Sequence, residues 1–129
     1  MPLIRLDVIK GRSKEELKKL LDTVYQVASE EFHLREHDRF QIVTQHDPSE
    51  MIIEDVGLGF KRTDKFVMIS ITSSPRKESD KEHFYARLAK DLQEKCGIDP
   101  QDIMVNFTFN TPSDWSFGEG EAQYLNGKL

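Results

Sequence analysis

The sequence predicts a two-layer α+β fold built from two copies of a β-α-β unit, with four strands in one mixed sheet and two helices on one of its faces. Three observations carry that prediction. An alternating run, a segment of helical period and a second strand-like run occur in that order, and the order returns in the second half of the chain. Each helical segment opens on Ser-x-x-Glu, once at Ser13 and once at Ser79. Asp38 and Asp102 stand shortly before the run that closes each copy. A single Ser-x-x-Glu is weak; two at matching offsets point to a duplication. The repeats span about 2–60 and 61–110, and an aromatic C-terminal segment covers 111–129, all within one domain of 129 residues.

The elements follow in order. Leu3–Ile9 alternates and reads as a strand. Gly11 breaks it, and Ser13 with Glu16 forms a capping box that starts a helix. Leu17, Leu20, Leu21, Val24 and Val27 recur at helical spacing until about Phe32. A second strand covers about 40–45. His46 to Lys65 is rich in turn formers, and Gly57-Leu58-Gly59 lacks the strand–turn–helix setting of a phosphate loop. A third strand runs over about 66–72. Ser79 and Glu82 then predict a second capping box, for a helix that turns Phe84, Tyr85, Leu88, Leu92 and Cys96 inward and stops at Gly97. The last strand covers about 103–109. The remaining piece, with Trp115, Phe117 and Tyr124, reads as a flap over the domain or over a neighbouring subunit.

Composition narrows the function classes. A net charge of −5 argues against a nucleic-acid or anionic-membrane partner. No stretch is long and apolar enough to span a membrane, and no leader pattern opens the chain, so a cytoplasmic protein is expected. A single cysteine, Cys96, excludes an intramolecular disulfide; it reads as a buried structural thiol. His33 and His37 fall where a helix ends, so their spacing does not make a metal site, and neither metal nor cofactor is expected. The basic residues from Lys10 to Lys19 are interrupted by acids and read as a solvated helix face.

Topology gathers the polar candidates. A right-handed β-α-β crossover makes its strands parallel, which puts Pro2 and Asp38 at one edge of the sheet. If the second copy runs the opposite way, its strands end at that same edge, near Ser74, Arg76 and the segment with Trp115 and Phe117. Removal of Met1 would leave Pro2 as a secondary amine, and burial brings such an amine into range for acid–base work near neutral pH. It can then move a proton α to a carbonyl, while Arg76 grips a substrate carboxylate and Asp38 orients a water or hydroxyl or steadies protonated Pro2. Each residue has a plainer alternative. Asp38 also suits a turn, Arg76 a solvated position before a helix, and Trp115 and Phe117 the core or a subunit contact.

Met1-Pro2-Leu3, Gly11-Arg12-Ser13, Asp38-Arg39-Phe40-Gln41 and Thr44-Gln45-His46 together resemble the tautomerase superfamily. Asp114-Trp115-Ser116-Phe117-Gly118, followed by Gly120, Tyr124, Leu125 and Gly127, resembles its malonate semialdehyde decarboxylase branch. The resemblance implies a homotrimer, a catalytic amino-terminal proline, and roles for Asp38 and Arg76 in catalysis or carboxylate binding. It also implies a hydrophobic wall made by Trp115, Phe117, Tyr124 and Leu129. One departure stands out: the branch has an arginine on each side of the proline numbered 75 here, whereas this chain has Ser74 and Arg76. Ser74 supplies a hydrogen bond but no charge. Keto–enol tautomerisation of a small, phenylpyruvate-like 2-oxo carboxylate therefore ranks above decarboxylation of a β-keto acid. The competing class is a binding or assembly module without chemistry, and a free Pro2 amine separates the two.

Overall fold

The computed structural model describes residues 1–129. Strand β1 (Leu3–Ile9), helix α1 (Lys14–Glu31) and strand β2 (Phe40–His46) make the first unit. Strand β3 (Val67–Ser73), helix α2 (Glu78–Cys96) and strand β4 (Ile103–Phe109) make the second. The sheet order is β2-β1-β3-β4. Each unit pairs its own strands in parallel, and the two units meet through the antiparallel pair β1–β3. The duplication and the mixed sheet follow from that arrangement.

Period-2 alternation decides which face is covered. Ile4, Leu6 and Val8 of β1 and Val67, Ile69 and Ile71 of β3 point to the helices and are buried. Against them lie Leu20, Val24, Val27 and Ala28 of α1 and Phe84, Leu88 and Leu92 of α2. Deleting a ring such as Phe84, which is fully enclosed, would cost about 3–5 kcal/mol. Phe32, Phe84 and Phe107 pack around this core, tilted or edge-on, with centroids 4.9 to 6.0 Å apart. The opposite face of the sheet has no helix over it and carries exposed Phe40, Ile42 and Met104 beside Arg5 and a His46–Asp7 contact of 2.7 Å.

The first capping box is present: Ser13 Oγ accepts from the Glu16 N–H, and Glu16 accepts from the Ser13 N–H. The second is not. Helix α2 begins at Glu78, one residue before Ser79, with Lys77 in extended conformation at the cap and no side-chain capping bond. Glu78 and Asp80 occupy its first turn, where carboxylates favour the helix dipole. Tyr85 also departs from the sequence reading; it is 40 % exposed and touches Phe84 and Phe107 from outside. Cys96 is half-buried rather than buried. Gly97 ends α2 as predicted, at φ 66°, where a Cβ would be strained.

Candidate active site

Register places the first candidate. Leu3 pairs with Phe40 on one side and Thr72 on the other, so Pro2, which is buried, sits at the edge where β2 begins and β3 ends. Asp38 stands two residues before β2. It is held by a turn in which its N–H donates to the Arg35 carbonyl at 3.1 Å, while His37 next to it takes a left-handed φ of 63°. Asp38 is only 8 % exposed, yet its Oδ1 has no hydrogen-bond partner. Its Oδ2 faces the Met1 amine at 3.5 Å. Leaving a buried carboxylate oxygen without a donor is costly, and no protein group supplies one to Asp38 Oδ1, so that oxygen can accept a hydrogen bond from a water or a substrate.

Arg76 reaches the same place from the other unit, between β3 and α2. Its Nη1 donates to the Phe32 carbonyl at 3.3 Å, and its guanidinium lies 5.1 Å from the centre of the Phe32 ring. Its Nε is buried without an acceptor. A cavity of about 130 Å³ opens between these groups, lined by Met1, Leu34, Arg35, Asp38, Arg76 and Tyr124, with Phe32 and His33 completing it. Burial pushes the Met1 amine below its ordinary value of 8.0, against the pull of Asp38 and with help from Arg76 and Arg35. Burial, and then the charge of Asp38, pushes the Tyr124 phenol up.

The geometry thus unites a desolvated amine, a carboxylate and a guanidinium around a small polar cavity. Two family models, each described as tautomerase enzyme, match the chain over residues 38–118 and 2–61. The chain belongs to the tautomerase family. It is 50 % identical to the probable tautomerase YrdN of Bacillus subtilis (strain 168), over the full length of both. It is also similar to a solved malonate semialdehyde decarboxylase, with a TM-score of 0.95 and 40 % identity across 98 % of each chain. A second such structure, FG41 malonate semialdehyde decarboxylase inhibited by 3-bromopropiolate, gives 0.93 and 39 % over 98 % of this chain and 97 % of that one. The relationship to the decarboxylase branch therefore holds along the whole chain.

In this tautomerase the remaining candidates fall in different places. Trp115 stacks on Phe117 with ring centres 5.6 Å apart, Phe117 meets Tyr124 edge-on, and Phe40 of β2 closes the cluster. Of these, only Tyr124 lines the cavity; Trp115 and Phe117 stand behind it, and Trp115 Nε1 donates to Asn110 Oδ1 at 2.8 Å. Ser74 is half-buried outside the lining, where its carbonyl accepts from the Ser73 hydroxyl. Leu129 is exposed and tied to the cluster by its N–H, which donates to the Gln123 carbonyl. Sequence reasoning missed Arg35, Phe32 and Leu34. The available signal was position: all three lie between the end of α1 and Asp38, on the stretch that leads to the site.

Proposed function

We propose that this tautomerase interconverts the keto and enol forms of a small 2-oxo carboxylate, with the Pro2 amine, freed by removal of Met1, as acid and base. The neutral amine takes a proton from the carbon beside the carbonyl; the carbonyl oxygen gains a proton as the enol forms; the reverse step returns the proton to carbon. Arg76 holds the carboxylate, and Asp38 steadies the protonated amine. The step calls only on protein groups. The observation that supports it most is the seat of the chain's start: the Met1 amine is desolvated and 3.5 Å from Asp38 in the cavity that Arg76 lines, and Pro2, the next residue, is buried beside it. While Met1 is retained, the Pro2 nitrogen is an amide without basicity, so processing is part of the proposal. We also propose a cytoplasmic homotrimer, in which Phe40, Ile42 and Met104 on the open face of the sheet meet other copies.

A second reading, decarboxylation of a β-keto acid such as malonate semialdehyde, is favoured by the similarity to the two decarboxylase structures and weakened by Ser74 in place of an arginine. Ultraviolet-monitored ketonisation of phenylenolpyruvate tests the first reading, with wild type beside Pro2→Ala and removal of Met1 checked by intact mass. A loss of at least about 100-fold in the variant is expected, the low end of what a positioned acid–base contributes. No wild-type rate in processed protein would overturn it, and carbon dioxide release from malonate semialdehyde would then favour the second reading. Failure of both reactions leaves the binding module.

A further inference from the structure

We propose that Arg35 is a second substrate-binding cation and that the site takes a small keto/enol diacid, with one carboxylate on Arg76 at the floor and the other on Arg35 at the mouth. This rests on the reading of the cavity as a carboxylate-binding tautomerase site, and it narrows the substrate away from phenylpyruvate. The turn that presents Asp38 also presents Arg35, because the Asp38 N–H bonds to the Arg35 carbonyl. The Arg35 side chain lines the cavity, is exposed, and makes no hydrogen bond or ion pair with the protein. Its neighbour Arg39 differs: it is fixed by Asp22 at 2.7 Å, by Gln41 at 2.8 Å and by the face of Tyr25. The short stretch thus carries one structural arginine and one left free beside the site.

Charge and size agree. Asp38 faces the amine through Oδ2 and offsets that charge, while neither Arg35 nor Arg76 has a carboxylate within ion-pair distance. Two guanidiniums with no carboxylate in ion-pair contact, one half-buried and one exposed, suit a molecule with an acid at each end, since each can hold a carboxylate in a forked pair of hydrogen bonds. With Met1 in place the cavity has room for about four waters at their share of liquid volume, and loss of Met1 enlarges it, so that a compact diacid can enter. Trp115 and Phe117, which would flank a phenyl group, remain outside the lining. Arg35 also supplies, from the first unit, the second positive charge that Ser74 does not.

The test compares the enol of oxaloacetate, a diacid, with phenylenolpyruvate, a monoacid, in wild type, Arg35→Gln and Arg35→Lys. Wild type should favour the diacid, and Arg35→Gln should lower kcat/KM for it by about tenfold, through KM, as expected for one lost charge-assisted pair. The monoacid rate should fall by less than the diacid rate, so that the ratio of the two kcat/KM values drops, and Arg35→Lys should keep part of the diacid preference. Titrations of malonate and propionate, which do not turn over, read the same contact without chemistry. In them Arg35→Gln should weaken malonate by about tenfold and leave propionate unchanged. Equal losses for both acids, or no loss for either, would overturn the assignment. Absence of turnover with the malonate selectivity intact would support the diacid site and count against the tautomerase reading alone.

Discussion

The two β-α-β units share an arginine and an aspartate at the same steps and use them differently. Pro2, Arg12 and Asp38 in the first unit are matched, each 64 positions later, by Phe66, Arg76 and Asp102 in the second. Asp102 is 2 % exposed and satisfied: it accepts from the Thr63 N–H at 2.8 Å and from the Thr63 hydroxyl at 2.5 Å. Asp38, also buried at 8 % exposed, leaves an oxygen unpaired. Arg12 donates to the Lys65 carbonyl at 2.7 Å, whereas Arg76 keeps its Nε free. Phe66 fills with a ring, under the Arg62 guanidinium, the step at which Pro2 brings a chain terminus. One edge of the sheet is sealed and its counterpart is open. A buried carboxylate is a fastener or a reagent according to whether the protein supplies its donors, and the backbone does not decide which.

The sharpest way to break that contrast is to remove the two aspartates in turn. Asp102→Ala strands the Thr63 N–H and should destabilise the fold by about 1–3 kcal/mol in urea unfolding, with turnover per folded molecule unchanged. Asp38→Asn should leave stability within about 0.5 kcal/mol, since it removes a charge that is only partly satisfied, and should lower kcat/KM by about 10- to 100-fold. Equal stability losses would show that the two edges are not different in kind.

Smaller effects follow from titration and capping. The folded amine binds its proton less tightly than the unfolded one, so between its lowered pKa and about 8 unfolding takes up a proton. This contribution to stability rises with pH through that window and falls away below it. In protein that keeps Met1, the terminal amine should titrate with its inflection below 8.0, and Asp38→Asn should move the inflection lower still, because the Asp38 charge raises the amine. An inflection above 8 would contradict the desolvated seat. Last, Ser13→Ala should cost about 1 kcal/mol, whereas Ser79→Ala, inside the first turn of α2, should cost nothing measurable by thermal unfolding.

How far the sequence carried the structure depends on where the deciding force lay. Strand β1 alternates from Ile4 to Val8, and the reading matches Leu3–Ile9; Gly97 suits the end of a helix because few other residues accept its φ. Ser79-x-x-Glu82 has the pattern of a capping box, but its residues lie within the helix, since the link from β3 through Pro75 turns helical at Glu78. Pattern alone does not reveal that. Pro2, Asp38 and Arg76 could be brought to one edge by topology alone. Arg35 could not be singled out, because an exposed turn residue obeys no periodicity, and its nearness to Arg76 arises only when the two units meet. Trp115 and Phe117 were placed near the edge correctly, but only packing puts Tyr124 in front of them.

The long connection between the units has a consequence for chain architecture. Its last residues are pinned to the stretch before β4: the Lys61 N–H to the Gln101 side chain, Arg62 to the Gln101 carbonyl and Thr63 to Asp102. At its other end, Asp47 and Glu50 close a short 3-10 turn directly after β2. Between these anchors, Ile52, Val56 and Leu58 are exposed. Covalent continuity there serves as a tether, holding two complementary fragments at an effective concentration in the millimolar range. The β1–β3 pairing and the shared core determine how the fragments fit, so a polypeptide cut between Ile52 and Leu58 retains the information needed to reassemble the sheet.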